Sequence, residues 1–273
     1  MSNKTNTVIF TIHNKEKTIR DVLLSLVSSL SNFSTDLIII FDGCTDKSES
    51  IVKETILENN LENFVKIHLE YTDDIWETKA NNFALRKVQT EFATIVQDDM
   101  LIKQYQWDLV LLKVFIQNNI FAVSGRSAHD FKFKDRNFIV QNLIGREYPF
   151  GDKTIFGKII AKILFLTKFY NIFKLISPVG FRITVNRGPL LLNMKYLKEL
   201  NFFDEIFAPF ELDDVDLCCR AFKKWGLLSA CKPIFFRMVG GSKKSNVISQ
   251  KISIESIFKN TQHLISRHSD LSL

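Results

Sequence analysis

TVIFTIHNKEKTIRDVLLSLVSSLSNFSTDLIIIFDGCTD, Thr7–Asp46, is the stretch that decides the fold. Val8–Ile12 and Leu37–Phe41 are short, β-branched apolar runs. Between them Thr18–Leu30 carries Ile19, Val22, Leu23 and Leu26 at helical spacing. Thr18, with Asp21 three residues on, predicts an acidic form of the capping box at the start of that helix. Strand, amphipathic helix, strand is the unit from which parallel sheets are built. The alternation continues, with strands predicted at Val65–Leu69, Ala93–Val96 and Phe121–Ser124 and helices at Ser48–Glu58, Glu77–Val88 and Gln106–Gln117. The expected fold class is α/β, a mostly parallel sheet flanked by helices on both faces.

After Gly125 the rhythm breaks, and about fifty residues, including Phe131, Phe133, Phe138 and Arg146, pass without a clear period, as in an insertion or acceptor-side region. Order returns with a strand-like Arg182–Asn186, Pro189 placed as at a helix start, and an acidic segment at Asp204–Asp216. Leu227–Phe236, a Gly240–Gly241 turn and an amphipathic tail from about Val247 to Arg267 complete the chain. With 273 residues, the length suits one domain with an elaborated end. The expected division is one domain over 1–242, in two halves that meet at about 125–126, then a helical tail over 243–273.

Composition narrows the class. Apolar residues make up 46% and charged residues 24%, which excludes a disordered chain, and 25 phenylalanines supply core volume. Only 10 glycines and 5 prolines argue against a turn-dense all-β architecture. A net charge of +6 suits nucleotides or an anionic membrane surface, but there is no concentrated basic stripe, so nucleic acid is not an expected partner. Cys44, Cys218, Cys219 and Cys231 form no C-x-x-C pair and suggest neither zinc nor disulfides, which points to a reducing, cytoplasmic setting. No signal peptide and no long apolar span is expected.

In open α/β sheets ligands bind beyond the carboxyl ends of the strands. The first strand ends at His13-Asn14, the second at Asp42-Gly43-Cys44-Thr45-Asp46 and the fourth at Gln97-Asp98-Asp99. A strand-end Asp such as Asp46 suits a helix cap, and Asp42 before a glycine suits a turn. Adjacent carboxylates at Asp98-Asp99 repel unless a cation or donor neutralises them, and Mg²⁺ or Mn²⁺ bridging a nucleotide diphosphate does so economically. The second cluster, Glu211-Leu212-Asp213-Asp214-Val215-Asp216, opens a helix. There Asp216 and Arg220 stand at i,i+4 and pair structurally, while Glu211, Asp213 and Asp214 suit either helix capping or a general base. The first strand end has no glycine, which removes a dinucleotide fingerprint.

Five segments, TIHNKEKTI, FDGCTD, KANNFAL, QDDM and FFDEIFAPFELDDVDLCCRA, in this order, resemble the motifs of inverting family-2-type glycosyltransferases of the GT-A fold, over roughly residues 7–242. The resemblance implies a hexosyltransferase-like, inverting enzyme of polysaccharide biosynthesis that moves a sugar from a nucleotide-sugar donor, UDP- or dTDP-linked, to a glycan or lipid-linked acceptor. It places His13, Asn14 and Asp42 around the nucleoside, with Asp42 accepting from the base. Lys79 and Asn82 would lie near the nucleotide, with Asn81 at the family's usual Arg position. Asp99 would ligate Mg²⁺ or Mn²⁺, Asp98 would take the variable middle position, and Gln97 replaces the family's first Asp. Asp214 would be the catalytic base with Asp213 beside it. Arg237 stands where the family often has a metal-binding His and would pair with diphosphate oxygens. A catalytically silent module of the same fold, binding a membrane surface or a partner protein, is the alternative that Gln97, Arg237 and the basic, Phe-rich segment Ile155–Ile176 motivate.

Ile155–Ile176, IFGKIIAKILFLTKFYNIFKLI, is apolar nearly all round yet carries Lys158, Lys162, Lys168 and Lys174. Two readings stay open: a packed helix with lysines at one edge, or a helix lying in an anionic membrane surface, which would make the protein peripheral on the inner face of the membrane. They predict different outcomes. For the interfacial helix, replacing Lys158, Lys162 and Lys168 with Gln lowers binding to anionic liposomes about 100-fold in sedimentation, at about 1 kcal/mol per lysine. For the packed helix, neither wild type nor variant responds to anionic lipid content or to salt.

Overall fold

The computed structural model describes residues 5–134, 137–145, 179–209, 211–240 and 247–271. The segment Ile155–Ile176 and Arg146 lie outside the described residues. Strand β1 (Asn6–Ile12), helix α1 (Ile19–Ser28), β2 (Ser34–Asp42), α2 (Ser48–Glu58), β3 (Lys66–Thr72), α3 (Trp76–Leu85) and β4 (Phe92–Gln97) follow in the predicted alternation. Then come β5 (Met100–Ile102), α4 (Trp107–Gln117), β6 (Ala122–Ser124), β7 (Ser127–Lys134) and β8 (Asn137–Gly145). The remainder comprises β9 (Gly180–Arg182), β10 (Thr184–Val185), β11 (Leu190–Asn193), α5 (Met194–Glu199), α6 (Asp213–Trp225), β12 (Ser229–Cys231), β13 (Phe236–Met238) and α7 (Val247–His268).

Eight strands make one sheet in the order β3-β2-β1-β4-β11-β6-β12-β9. The four strands from β3 to β4 in this order pair in parallel, and β11 enters antiparallel between β4 and β6. Alternation along the strands builds two cores. Val8, Phe10 and Ile12 join Leu37, Ile39 and Phe41 beneath α1, α2 and α4. Ile9 joins Ile38, Ile40 and Ile95 beneath α3, α5 and α6. Strands buried on both faces must be apolar throughout, which is why Leu37–Phe41 reads as an uninterrupted run.

Three local expectations are corrected. Pro189 does not start a helix: it follows a cis peptide bond and leads into β11, whose Leu190, Leu191 and Leu192 are buried between β4 and β6, and the helix starts after Asn193, whose side chain accepts from Lys195 N. Thr18 stands at the N-cap of α1, but its side chain makes no capping bond; the backbone N–H groups of Thr18 and Ile19 donate instead to the Lys15 carbonyl. Arg182–Asn186 is divided, β9 pairing with β12 and β10 with β7. The unpatterned stretch after Gly125 contains the β7–β8 hairpin, which lies outside the main sheet. All four cysteines are free thiols, as expected. No helix among the described residues is long and apolar enough to cross a membrane.

Helix α7 packs onto α6. Leu264 is buried with Phe207, Val215 and Cys219, Asn260 Nδ2 donates to the carbonyls of Phe207 and Glu211, and the His268 ring lies 2.9 Å from Asp216 Oδ1. On the opposite face, the first turn of α4 is held to the β2 entry by Asp108. Its carboxylate is buried and accepts from Ser31 N, Ser31 Oγ (2.8 Å) and Ser34 Oγ (2.8 Å). Asp108→Ala leaves these donors without an acceptor and is expected to cost about 3 kcal/mol in urea unfolding. A change below about 0.5 kcal/mol would show the cluster contributes little.

Candidate active site

Parallel register places the polar strand ends abreast. Ile12 of β1 pairs with Phe41 of β2, and Thr11 pairs with Gln97 of β4, so His13, Asp42 and Asp98 emerge together at one edge of the sheet. His13 ties the three. Its backbone N–H donates to Asp98 Oδ2 (3.1 Å), and its ring Nδ1 lies 2.6 Å from the Asp42 carbonyl oxygen. A carbonyl only accepts, so Nδ1 carries the proton.

The Asp42 carboxylate is buried and accepts from Thr72 Oγ1, Ile75 N and Trp76 N, which fixes the β3–α3 turn. Gly43, at φ +56°, allows that turn to approach: a Cβ on it would stand 2.5 Å from Asp74 Cβ. His13, Asp42 and Asp74 bring potential ligand atoms within 4.8 Å of one another. With the proton on Nδ1, the acceptor nitrogen of the ring is Nε2, which lies 3.2 Å from Asn14 Nδ2. Asn14 Oδ1 accepts from Thr45 N and Asp46 N, and Asp46 in turn caps the start of α2 at Ser48 N. Asn14 thus braces the loop beside the nucleoside position that the motifs imply.

At the end of β4 the three polar residues separate in role. Asp98 points at His13 N and at Lys15 Nζ (3.4 Å), and burial pushes its carboxyl up to about 6 against the pull of Lys15. Gln97 Oε1 accepts from Arg126 Nη1 (3.0 Å), and its Nε2 donates to Glu77 Oε1 (3.3 Å). Asp99 is 9% exposed, and its Oδ1 is buried with no hydrogen-bond partner among the described residues. Burial raises the Asp99 carboxyl, while Lys15 and Arg126 draw it back. A buried anionic oxygen left free by the protein is what a hard divalent cation needs, so Asp99 fits Mg²⁺ or Mn²⁺ as a single protein ligand completed by phosphate and water oxygens. Asp98 and Gln97 are committed elsewhere.

The second acidic cluster sits at the N-terminus of α6, beside α3 and the β10–β11 turn. Asp213 is fully buried, accepting from Thr78 Oγ1 (2.8 Å) and paired with Arg187 Nη2 (2.8 Å). Asp214 is half-buried and accepts from Arg187 N (2.9 Å) and from Val215 N. Burial raises both carboxyls, and the Arg187 guanidinium opposes it. Each Asp214 oxygen takes one N–H and keeps acceptor capacity, so Asp214 is the member of the pair able to receive a proton from outside. Asp216 is structural as expected, bonded to Arg220 (2.7 Å) and to His268.

Three expected site residues lie elsewhere. Lys79 is on the exposed face of α3, where its charge acts on Glu205; the residues of α3 that meet the site are Glu77, Thr78 and Asn81. Asn82 is buried and fully used, its amide bonded to the Phe203 backbone on both sides and to Glu205, because helical spacing turns it toward the 203–205 segment. Arg237 stands opposite Leu101 and lines a cleft of about 370 Å³ with Thr18 and Asp21, while Val239, whose N–H donates to the Asp99 carbonyl, occupies the place across from Asp99. The cations acting on Asp99 are Lys15 and Arg126 instead. Arg126 carries a usable signal, because it follows a predicted strand end by two residues. Nothing in the sequence marks Arg187, which only the β10–β11 turn brings to Asp213.

Comparison with known proteins bears on the family and the fold. The family profile described as glycosyl transferase family 2 matches residues 7–176. Among solved structures, mannosyltransferase PcManGT from Pyrobaculum calidifontis, in complex with GDP-Man and Mn²⁺, superposes with a TM-score of 0.58 at 14% identity, over 97% of this chain and 70% of that one. TarS from S. aureus superposes with a TM-score of 0.53 at 15% identity, over 98% of this chain and 44% of that one, so this chain spans less than half of TarS. At these identities the likeness establishes the GT-A fold. No curated protein matches the sequence.

Proposed function

The chain belongs to glycosyl transferase family 2, and from that premise we propose that it transfers a sugar from a nucleotide-diphosphate donor to a glycan or lipid-linked acceptor with inversion at the anomeric carbon. The observation that carries the reading is the division of labour between two carboxylates: a buried Asp99 oxygen free for a cation, and a half-buried Asp214 free for a proton. Direct displacement needs both functions.

In this mechanism the acceptor hydroxyl is deprotonated by Asp214 as its oxygen bonds to the anomeric carbon, and the bond from that carbon to the diphosphate breaks. The raised affinity of the half-buried Asp214 carboxylate for a proton makes it a stronger base than an exposed one. A divalent cation held at Asp99 would offset the charge of the departing diphosphate. Lys15 and Arg126 supply fixed positive charge beside the same carboxylate. UDP- and dTDP-sugars are the favoured donors, with Asp42 near the base and retaining acceptor capacity on Oδ2. Four free thiols suit a cytoplasmic setting.

Two variants test the assignment. With UDP, dTDP, GDP and CDP each measured with Mn²⁺ and with EDTA, the wild type is expected to show Mn²⁺-dependent thermal stabilisation by at least one nucleotide. Asp99→Asn should lose the Mn²⁺-dependent part and keep its fold; an unchanged Mn²⁺ response would place the cation elsewhere. Asp214→Asn should keep nucleotide and Mn²⁺ binding and cut transfer about 100-fold or more. Full activity in that variant, with Asp213→Asn inactive, would move the base by one residue. Nucleotide binding without transfer to any acceptor would favour the silent-module reading.

A further inference from the structure

Arg187 belongs to a polar chain that runs from the end of β4 to the start of α6. Arg126 donates to Gln97 (3.0 Å), Gln97 donates to Glu77 (3.3 Å), Glu77 lies 3.6 Å from Arg187, and Arg187 pairs with Asp213 at 2.8 Å. One side of this chain is the strand end carrying Asp99, and the other is the helix start carrying Asp214. The Arg187 side chain is 6% exposed, its guanidinium lies 5.8 Å from the Phe203 ring centre, and Nη1 is buried with no partner among the described residues. Gly188, at φ +81°, lets the next peptide press on Gln97, where a Cβ would lie 2.6 Å from Oε1.

A cation buried to this extent is strongly destabilising unless it is paired, and here one guanidinium faces two carboxylates while its own backbone N–H holds a third. A surface lysine would neutralise Asp213 more cheaply in desolvation. Nη2 alone meets both Glu77 and Asp213 and so sets their separation, while the backbone N–H of the same residue holds Asp214 and the guanidinium plane lies against the Phe203 ring.

Resting on the reading of Asp214 as the base, we propose that Arg187 is a positioning residue: its guanidinium holds the Asp213 carboxylate in place beside Asp214, and through Glu77 and Gln97 it couples the base to the strand end that carries the metal ligand. The groups facing the acid pair are Arg187 from the β10–β11 turn, Glu77 and Thr78 from α3, and Glu211 from the approach to α6. Arg187 is the cation among these. It favours the charged form of both carboxyls, so its removal must drive their proton affinity up and leave the base protonated to higher pH.

The test compares wild type, Arg187→Met and Arg187→Lys. Carboxyl NMR titration of aspartate-labelled protein, with the Asp213 and Asp214 signals identified by their loss in Asp→Asn variants, is expected to show both midpoints moving up by about one unit or more in Arg187→Met. The acidic limb of kcat should move by the same amount. Transfer should then fall about tenfold or more near pH 6 and recover toward pH 9, with UDP–Mn²⁺ affinity within about threefold of wild type. Arg187→Lys keeps the charge and guards against a variant that fails to fold; it should hold the midpoints within about half a unit while lowering kcat, because the ammonium sits on a shorter stem than Nη2 and lacks the planar group that packs on Phe203. Unmoved carboxyl midpoints in Arg187→Met, or UDP–Mn²⁺ affinity falling in step with kcat, would overturn the proposal. So would wild-type kcat in Arg187→Lys together with unmoved midpoints in Arg187→Met. The NMR titration needs no donor sugar, so an absence of transfer in the wild type would count against the glycosyltransferase reading and leave the role of Arg187 separately decided.

Discussion

The parallel register of β1 between β2 and β4 is the constraint from which the rest follows. Because Ile12 pairs with Phe41 and Thr11 with Gln97, the chain leaves the sheet at three neighbouring points within one residue of each other. A shift of one residue would exchange the two faces of β1 and send Val8, Phe10 and Ile12 into the opposite core, so burial on both faces locks the register. Loop chemistry is then layered on a rigid edge. His13 bonds to the neighbouring strand ends on both sides, and Asp42 uses three donors to shape the next turn.

Electrostatics explains why the same edge tolerates so many acids. Asp98, Asp99, Asp213 and Asp214 are each raised above the ordinary carboxylate range, and burial is the largest cause in every case. Lys15, Arg126 and Arg187 offset part of that cost without satisfying every group. Asp99 Oδ1, Asn81 Nδ2, Arg126 Nε and Arg187 Nη1 remain buried without hydrogen bonds among the described residues. Buried polar groups are ordinarily satisfied, so these four open ones, lying between the end of β4 and the start of α6, are the observation on which the proposed site rests. Gln97 belongs to this economy. A second carboxylate in its place would repel Glu77 and Asp99, whereas the amide accepts from one neighbour and donates to the other.

The C-terminal part of the chain bears on the site through support. Helix α7 bonds to the carbonyls of Phe207 and Glu211 and to the Asp216 carboxylate, and so braces the start of α6 from behind. Asp216 has Arg220 and His268 as partners, which lower its proton affinity even though it is buried. The acid next in line to Asp213 and Asp214 is thereby fixed as a structural anchor, and the helix dipole at this terminus favours all three charges.

The sequence by itself determined what local periodicity controls. β-branched runs and amphipathic helices through Thr7–Ser124 specified the parallel half of the sheet, and strand-end polarity drew attention to His13, Asp42 and the Asp98-Asp99 pair, because ligands of such sheets gather where strands end, while the choice of Asp99 and Asp214 came from the family resemblance. The Asp216–Arg220 pair was legible for the same reason, since i,i+4 spacing fixes contact within one helix. What tertiary structure alone decided are the groups whose neighbours lie far along the chain. Leu190–Asn193 became an antiparallel strand because the gap between β4 and β6 needed filling, against the helical expectation from Pro189. Asn82 and Lys79 left the site because of the direction that helical phase and packing gave α3, and Arg187 entered it because the turn before β11 delivers a cation to an acid 26 residues away (187 to 213). Side-chain direction and long-range pairing are properties of the assembled layers, and no short window of sequence contains them.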